Sequence, residues 1–210
     1  MYEKVFSQSI IKRAIEEKKV EIEIHNFREY SKDPHHKVDD TPYGGGNGMV
    51  LTCQPIFDCV ESIKTKDSKV ILLTPDGIPY KQEMAYKLAN EKHLIFICGH
   101  YEGFDERIRS ICDFEISIGD YVLTGGELAS MVITDSIVRL LPGVIEEGSH
   151  KNDSFNNNLL DYPTYTKPRI FRGMEVPEVL LSGDHKKIEE YRKEESIKKT
   201  QLRRPDLLKK

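Results

Sequence analysis

Three short apolar segments most constrain what this chain can fold into. They span residues 69–74, 94–98 and 113–118, and patterns typical of helices separate them at residues 80–90 and 104–110. Their length and nearly continuous apolar character are typical of strands buried on both faces of a sheet. Strands that alternate with helices indicate βαβ units, so the sequence predicts an α/β fold with a parallel sheet.

The segments on either side of this pattern also have recognisable character. Residues 5–17 have apolar side chains at roughly helical spacing, residues 20–24 alternate as in a strand, and residues 126–141 predict a helix that ends before Pro142. Residues 146–158 are polar, with Gly, Ser, His and three consecutive Asn. This composition predicts a linker between two domains.

The part of the chain after the linker is predicted to be helical and is basic. Asp184 can cap a helix through Arg192, and a second helix is expected from Ser196 toward Arg203. Residues 167–210 hold 13 Lys and Arg against 8 Asp and Glu, although the whole chain has a net charge of −4. A basic end can meet nucleic-acid phosphates, and a solvated helix surface rich in Lys and Glu explains the composition equally well.

Composition excludes several classes of protein. Hydrophobic residues make up 38% of the chain and charged residues 31%, which indicates a globular rather than a disordered protein. No apolar stretch approaches the ~20 residues of a membrane-spanning helix, and the N-terminus lacks a signal-peptide pattern, so we expect a cytoplasmic protein with no membrane partner. The four cysteines lack CxxC spacing, which favours reduced thiols, and we expect no structural metal.

A glycine-containing loop follows each of the three predicted strands. The loops span residues 74–77, 99–106 and 118–127, and because ligand sites of α/β sheets lie beyond the carboxyl ends of strands, they predict one pocket. Glycine permits close approach of the backbone to an adenine or amino-acid group. A fourth glycine cluster at residues 42–48 lacks the Lys and Ser or Thr of a phosphate-binding loop. It therefore indicates a mobile loop or lid rather than a nucleotide-hydrolysing enzyme.

Six longer motifs run in order over nearly the whole chain. They lie at residues 40–50, 99–107, 116–128, 153–161, 165–168 and 202–206. Together they resemble the TrmD-type tRNA (guanine-N1)-methyltransferases, and agreement of six motifs in register is far more specific than any one of them. The resemblance implies S-adenosylmethionine as the methyl donor and N1 of the guanine at tRNA position 37, next to the anticodon, as the acceptor.

The same resemblance implies an architecture. It implies a SPOUT-type S-adenosylmethionine-binding domain with a parallel sheet and a deep trefoil knot at residues 1–145, a linker at residues 146–162 and a small helical tRNA-binding domain at residues 163–210. General rules of chain topology would not propose a knot. Members of the family are homodimers, in which one subunit holds the cofactor and the other contributes its linker and helical domain.

Residue roles carry over from the family by position. Asp153 matches the general base that takes the proton of guanine N1, and Arg139 matches the arginine that stabilises negative charge on guanine O6. The residues that match the cofactor pocket are Thr74, Pro75, Gly77, Gly99, Tyr101, Glu102, Ile118, Gly119, Asp120, Tyr121, Val122, Leu123, Gly125 and Gly126. The expected RNA contacts are Lys167, Arg203 and Arg204.

Ordinary structural roles remain open for several of these residues. Asp153 can cap the turn that follows it, Arg139 can satisfy a helix C-terminus, and the paired arginines near the C-terminus can form surface salt bridges. Asp161 either helps to position the base or caps a turn. Glu102 also matches a glutamate linked to a magnesium effect, with the ion acting on the protein or on the tRNA.

One feature departs from the family pattern. The family's opening strand and its apolar Leu-Phe-Pro segment precede the position of Met1, where this sequence begins. A sheet without such a strand loses stability and exposes an edge. The alternative hypothesis is therefore a non-catalytic RNA-binding SPOUT protein, which an assay of methyl transfer to tRNA distinguishes from the enzyme.

Overall fold

A three-stranded parallel sheet forms the centre of the first of two compact units. The computed structural model describes residues 1–100, 103–146 and 153–209, and the units are Met1–Ile145 and Glu146–Lys210. The sheet consists of β3 (Ser68–Pro79), β4 (His93–Ile97) and β5 (Phe114–Ser117) in the order β4–β3–β5. Strand β3 pairs in parallel with both neighbours, which confirms the predicted sheet and the α/β class.

Helices cover both faces of this sheet. The α-helices of the unit are α1 (Tyr2–Phe6), α2 (Ser9–Glu16), α3 (Cys53–Ile63), α4 (Gln82–Leu88) and α5 (Glu127–Val138). A short pair, β1 (Asp39–Asp40) with β2 (Val50–Leu51), and 3-10 helices at Phe27–Tyr30 and Glu106–Ile111 complete the unit. Side chains of β3 alternate, so Val70 and Leu72 pack in a core with α3, while Ile71 and Leu73 pack in a second core with α4 and α5.

Of two predictions near the N-terminus, one is confirmed in part and the other is wrong. The helix expected over residues 5–17 is divided into α1 and α2, because Ser9 adopts a φ of 54° that a continuous helix does not allow. Residues 20–24 form no regular strand and have no strand partner among the described residues. Val20, Ile22 and Ile24 instead line a cavity of about 1010 Å³ beside β4. Strand β4 is an edge strand of the described sheet, and its neighbour there is β3.

Helix α3 had no counterpart among the sequence predictions. Its residues Pro55, Ile56, Cys59 and Val60 are buried, at the i, i+1, i+4 and i+5 positions of one helix face. The four cysteines of the chain are free thiols, and Cys59 is the one that is fully buried.

The second unit is built around one long helix. This unit contains the hairpin β6 (Ile170–Phe171) with β7 (Met174–Glu175), 3-10 helices at Asn156–Asn158, Glu178–Leu181 and Pro205–Leu208, and the helix α6 (His185–Arg203). Asp184 caps α6 as predicted, since its Oδ1 accepts a hydrogen bond of 3.2 Å from the backbone N of Lys187. The two predicted helices are one, because residues 192–196 include no Gly or Pro that would break it.

Two further observations concern the expected linker and membrane partner. Residues 147–152 of the predicted linker lie outside the described residues, whereas residues 153–162 pack on α6. None of the described helices is long and apolar enough to cross a membrane.

Candidate active site

The carboxyl-terminal part of β3 is interrupted where the sequence predicts a loop, and the strand then continues. Residues 74–77 lie within β3, at an irregularity after which Ile78 and Pro79 pair again with β5. Leu73 and Ile78 both pair with Ile116 of β5, so residues 74–77 have no partner on that strand and leave the ladder between the two pairings, as the predicted loop would. Thr74, Pro75 and Gly77 lie in this segment. A Cβ atom on Gly77 would be 2.6 Å from the backbone N of Ile116, so this close approach of two strands requires glycine.

The loops after β4 and β5 are in direct contact. The backbone N of Gly126 donates a hydrogen bond of 2.9 Å to the carbonyl oxygen of Gly99. A Cβ atom on Gly126 would be 2.8 Å from Cα of Cys98, so the start of α5 can approach the end of β4 only with glycine at this position. Tyr101 and Glu102, two expected pocket residues, lie outside the described residues.

The loop between β5 and α5 carries most of the expected cofactor residues. Ser117 Oγ accepts a hydrogen bond of 3.3 Å from the backbone N of Gly119, and the backbone N of Tyr121 donates to the carbonyl oxygen of Gly119 over 2.9 Å. These bonds shape the tight turn that includes Ile118 and Asp120. The side chains of Tyr121, Val122 and Leu123 are 54%, 83% and 37% exposed, so the loop presents apolar groups on its surface.

A His–Glu pair borders this loop and was not predicted. His100 Nε2 lies 2.5 Å from Glu127 Oε1, and Glu127 is in the first turn of α5. A Cβ atom on Gly125 would collide with Glu127 Oε2 and would lie 2.8 Å from His100 Nε2. The two side chains can therefore approach this part of the loop so closely only because residue 125 has no side chain. An acidic residue directly after two glycines at a helix start was the available signal in the sequence.

A second unpredicted group of side chains holds the end of β4 from behind. The hydroxyl of Tyr2 lies 2.7 Å from Ser130 Oγ and 3.2 Å from Cys98 Sγ, which links α1, α5 and the residue before Gly99. Burial raises the pKa of both the Tyr2 phenol and the Cys98 thiol above their usual ranges, so both stay protonated. The three residues are far apart in sequence, and no local pattern announces their contact.

Arg109 anchors the irregular segment of β3. Its guanidinium donates to Asp76 over 2.7 Å and to Glu106 over 2.9 Å, and it also pairs with Glu115 of β5. The hydrogen bond from Thr74 and the charge of Arg109 hold the pKa of the Asp76 carboxyl below its usual range. One arginine thereby ties residues 74–77 to the neighbouring strand and to the 3-10 helix.

The two expected catalytic residues belong to different units. Arg139 is the C-terminal capping residue of α5, with its backbone N 3.2 Å from the carbonyl oxygen of Asp135, and its side chain is partly buried. Asp153 is partly buried in the second unit. There it lines a pocket of about 170 Å³ with Asp161, and Arg192 and other residues of α6 form the opposite part of the lining.

The expected RNA-contacting residues are exposed on the second unit. Arg203 is the last residue of α6, and Lys167 precedes Pro168 across a cis peptide bond. Arg204 pairs with Asp206 at 2.7 Å, and its guanidinium lies 5.7 Å from the centre of the Phe155 ring. The salt-bridged surface pair considered for the two arginines is thus present at Arg204.

The structure shows which group the Asp161 side chain contacts and whether acidic, His and Cys side chains cluster as they would around a metal. Asp161 Oδ1 accepts a hydrogen bond of 2.8 Å from the backbone N of Tyr162, the next residue, and residues 161–166 form no turn or helix. Within residues 1–100, 103–146 and 153–209, no group of three or more His, Cys, Asp or Glu side chains has the arrangement of a metal site.

The fold and these loops define a class of protein. An α/β unit whose parallel strands end in glycine-rich segments, followed by a basic helical unit, is typical of an enzyme that binds a nucleotide-like cofactor and acts on a nucleic acid. The family model described as tRNA (Guanine-1)-methyltransferase TrmD matches residues 1–210. The chain belongs to this family.

Similar proteins support the assignment over the full length. A tRNA (guanine-N(1)-)-methyltransferase of Malacoplasma penetrans (strain HF-2) is 59% identical over 99% of this chain and 93% of its own length. Proteins with the same name from Bacillus cereus (strain AH820) and Bacillus anthracis (strain A0248) are each 58% identical over 99% of this chain and 87% of their own length.

Proposed function

We propose that this chain transfers a methyl group from S-adenosylmethionine to N1 of the guanine at position 37 of tRNA. The observation that carries the proposal is the family match over residues 1–210, together with identities of 58–59% to relatives named for that reaction. The alternative of a non-catalytic RNA-binding protein has no comparable support, because the residues that the resemblance assigns to chemistry, Asp153 and Arg139, are both present.

The three segments at the end of the sheet suit S-adenosylmethionine. Tyr121, Val122 and Leu123 offer exposed apolar side chains to an adenine ring, and the glycines offer backbone groups at close range. The absence of a side chain at Gly125 lets His100 and Glu127 pack against this loop. When bound, the cofactor supplies an electrophilic methyl group on a sulfonium.

The chain's own residues must then make guanine N1 nucleophilic. N1 carries a proton, and Asp153 takes that proton as the nitrogen attacks. The negative charge that develops on guanine O6 is stabilised by the guanidinium of Arg139, and one such group typically contributes about 3 kcal/mol in a water-poor site. Each residue acts on a different atom of the base, so the two contributions are separable by experiment.

The architecture that goes with this reaction is a homodimer with SPOUT topology. We assign residues 1–145 to a knotted cofactor domain, residues 146–162 to the linker and residues 163–210 to the domain that binds tRNA in the cytoplasm. Leu128 and Val132, 47% and 52% exposed on one face of α5, form an apolar surface suited to a second copy. Arg203, Arg204 and Lys167 are the proposed phosphate contacts. Magnesium at Glu102 stays a proposal, tested by cofactor binding with and without the ion.

Replacing the proposed base tests the function directly. Asp153→Asn keeps the size of the side chain but cannot accept the proton, so we expect single-turnover methyl transfer to fall by about 10²–10⁴-fold. Affinity for S-adenosylmethionine should not change. Asp67→Asn, at an exposed ion pair with Lys92, is the matched control and should behave as wild type.

Two outcomes would contradict the proposal. A wild-type chain that binds tRNA but transfers no methyl group would support the non-catalytic alternative. Methylation of a tRNA in which adenine replaces guanine 37, at the rate of the natural substrate, would show that N1 of this guanine is not the acceptor.

A further inference from the structure

Two hydroxyl side chains of α6 hold both backbone polar groups of Leu160. Thr200 Oγ1 accepts a hydrogen bond of 2.9 Å from the backbone N of Leu160 and donates to the carbonyl oxygen of Ser196 over 2.7 Å. Ser196 Oγ donates to the carbonyl oxygen of Leu160 over 2.5 Å. Ser196 and Thr200 are one helical turn apart, so a single face of α6 fixes the position and the orientation of this residue.

The segment around Leu160 is a closed loop that begins next to Asp153. The backbone N of Asp161 donates to Ser154 Oγ over 3.0 Å, and the backbone N of Phe155 donates to the carbonyl oxygen of Leu159 over 2.6 Å. Lys199 adds a third bond from α6, 2.8 Å from its Nζ to the carbonyl oxygen of Asp161. A displacement of Leu160 therefore moves the residues that carry the Asp153 side chain.

Stabilisation of the core does not by itself explain why these two hydroxyl groups are buried. Ser196 is 8% exposed and Thr200 is 0% exposed, and no other side chain described within residues 153–209 is buried to this extent. A buried hydroxyl costs free energy unless it is hydrogen-bonded, and an apolar residue would contribute more to a core. What the hydroxyls provide is a directional attachment for the Leu160 backbone.

The pocket of the second unit connects this attachment to the candidate base. Asp153, Leu160, Asp161 and Ser196 all line the same volume of about 170 Å³, with Arg192 on the α6 side. The guanidinium of Arg192 lies 4.8 Å from the centre of the Tyr162 ring, which adds a further contact between α6 and the segment. Asp153 is thus held at a defined place relative to α6.

We propose that Ser196 and Thr200 are positioning residues for methyl transfer, which fix Leu160 on α6 and thereby hold Asp153 where it can take the guanine N1 proton. This inference rests on the proposed function, in which Asp153 is the base. Neither hydroxyl touches the reacting atoms. Their effect is geometric, and a small misplacement of a catalytic group can cost up to about 10²-fold in rate.

Thr200→Val tests the role because valine has nearly the same shape but makes no hydrogen bond to Leu160. We expect a fall of about 10- to 100-fold in the single-turnover rate near neutral pH. Affinity for S-adenosylmethionine should not change, because the replaced group belongs to the second unit. The loss should shrink as the pH rises, since guanine N1 then gives up its proton without help. Thr200→Ser, which keeps the hydroxyl, should restore the rate.

Ser182→Ala is the matched control. The Ser182 hydroxyl donates to the carbonyl oxygen of Val179 over 2.7 Å at an exposed turn of the same unit. It should leave the rate and its pH dependence unchanged. Ser196→Ala removes one of the two bonds to Leu160 and keeps the other, so it tests the same role if Thr200→Val does not fold.

The deciding measurement combines Thr200→Val with Asp153→Asn. If the hydroxyl acts through Asp153, the double variant should be no slower than Asp153→Asn alone, because there is no base left to position. Equal fold-losses in both backgrounds, at every pH, would overturn the positioning role and leave a purely structural one. Failure of the wild type to methylate tRNA would instead overturn the proposed function, and the positioning role with it.

Discussion

At the scale of single residues, Asp153 and Arg139 are assigned different tasks on the same guanine. The pH dependence of the defects in their variants distinguishes the two tasks. The Asp153→Asn defect should decrease as the pH rises, because guanine N1 then loses its proton to solvent. The Arg139→Ala defect should persist, because charge on O6 still has to be stabilised. Single-turnover rates over a pH series, with cofactor affinity as the control, measure both. A parallel pH response of the two variants would contradict the assignment.

A second residue-scale prediction concerns Cys112. Burial, reinforced by the charges of Glu115 and Asp113, raises the pKa of this thiol to about 11. Only the thiolate reacts with alkylating reagents, so at pH 8 labelling of Cys112 should be at least about 100-fold slower than for an ordinary cysteine. It should accelerate as the pH approaches 11. Labelling is read by mass spectrometry of the Cys112 peptide. Rapid labelling of the folded protein at pH 8 would show that burial does not raise the pKa of this thiol.

What the sequence could predict for single residues depended on longer motifs. Asp153 and Arg139 are ordinary capping residues by local pattern, and only the resemblance assigned them chemistry. Ser196 and Thr200 carried no signal at all, because a hydroxyl in a helix is usually exposed and their partner, Leu160, is 36 to 40 residues away. Contacts of this kind arise from packing and have no counterpart in residue spacing.

At the scale of elements, Arg109 is the attachment that should matter most for the cofactor pocket. It joins Asp76 on β3 to Glu115 on β5 and to Glu106 on the 3-10 helix. Arg109→Met should weaken cofactor binding by about 3- to 10-fold, because its ion pairs no longer hold residues 74–77, and each such pair contributes up to about 1 kcal/mol. The single-turnover rate at saturating cofactor should change little.

Arg107→Met is the matched control for that variant. Arg107 is two residues away and pairs with Asp105, 2.7 Å from its Nη2 to Oδ2, without bridging to β3. It should bind the cofactor as the wild type does. Isothermal titration of both variants measures the difference, and equal affinities would remove Arg109 from the support of the pocket.

Helices and strands could be predicted from the sequence where the hydrophobic pattern of a segment matches its burial in the folded chain. The segments at residues 69–74, 94–98 and 113–118 are strands because both their faces are buried. Residues 20–24 alternate as a strand would, yet they lack a partner among the described residues, and pairing is a property of the whole sheet. The segment at residues 74–77 contains Pro and Gly, which predict a loop, and it does leave the ladder there. The renewed pairing of Ile78 and Pro79 with β5 could not be predicted, because it depends on the neighbouring strand.

At the scale of the whole molecule, the strand order β4–β3–β5 and the close approach of Gly99 to Gly126 followed only from the structure. Sequence spacing predicted βαβ units, and it could not say on which side of β3 each later strand would pair. The family resemblance adds the proposal that the complete site forms between two copies of the chain. In that case, the cofactor segments and Asp153 of one site come from different subunits.

Subunit mixing tests that proposal with two variants that are each inactive alone. Gly125→Val displaces His100 and Glu127 from the cofactor segments and should abolish cofactor binding, while Asp153→Asn should lack the base. The valine side chain introduced by the first variant would meet the ends of flexible side chains rather than backbone, so we expect that variant to fold.

If each site combines the cofactor segments of one subunit with Asp153 of the other, co-refolded mixtures should recover activity, because a heterodimer pairs the intact pocket of the Asp153→Asn subunit with the intact Asp153 of the Gly125→Val subunit. At equal amounts half of the dimers are mixed and each has one intact site, so about one quarter of wild-type activity is expected, the statistical limit for random pairing of subunits in a C2 dimer. If each site lies within one subunit, the mixture should remain inactive, since every site then carries one of the two defects. Sedimentation of the mixture confirms that dimers have formed, and inactivity in a sample shown to contain mixed dimers would overturn the shared site.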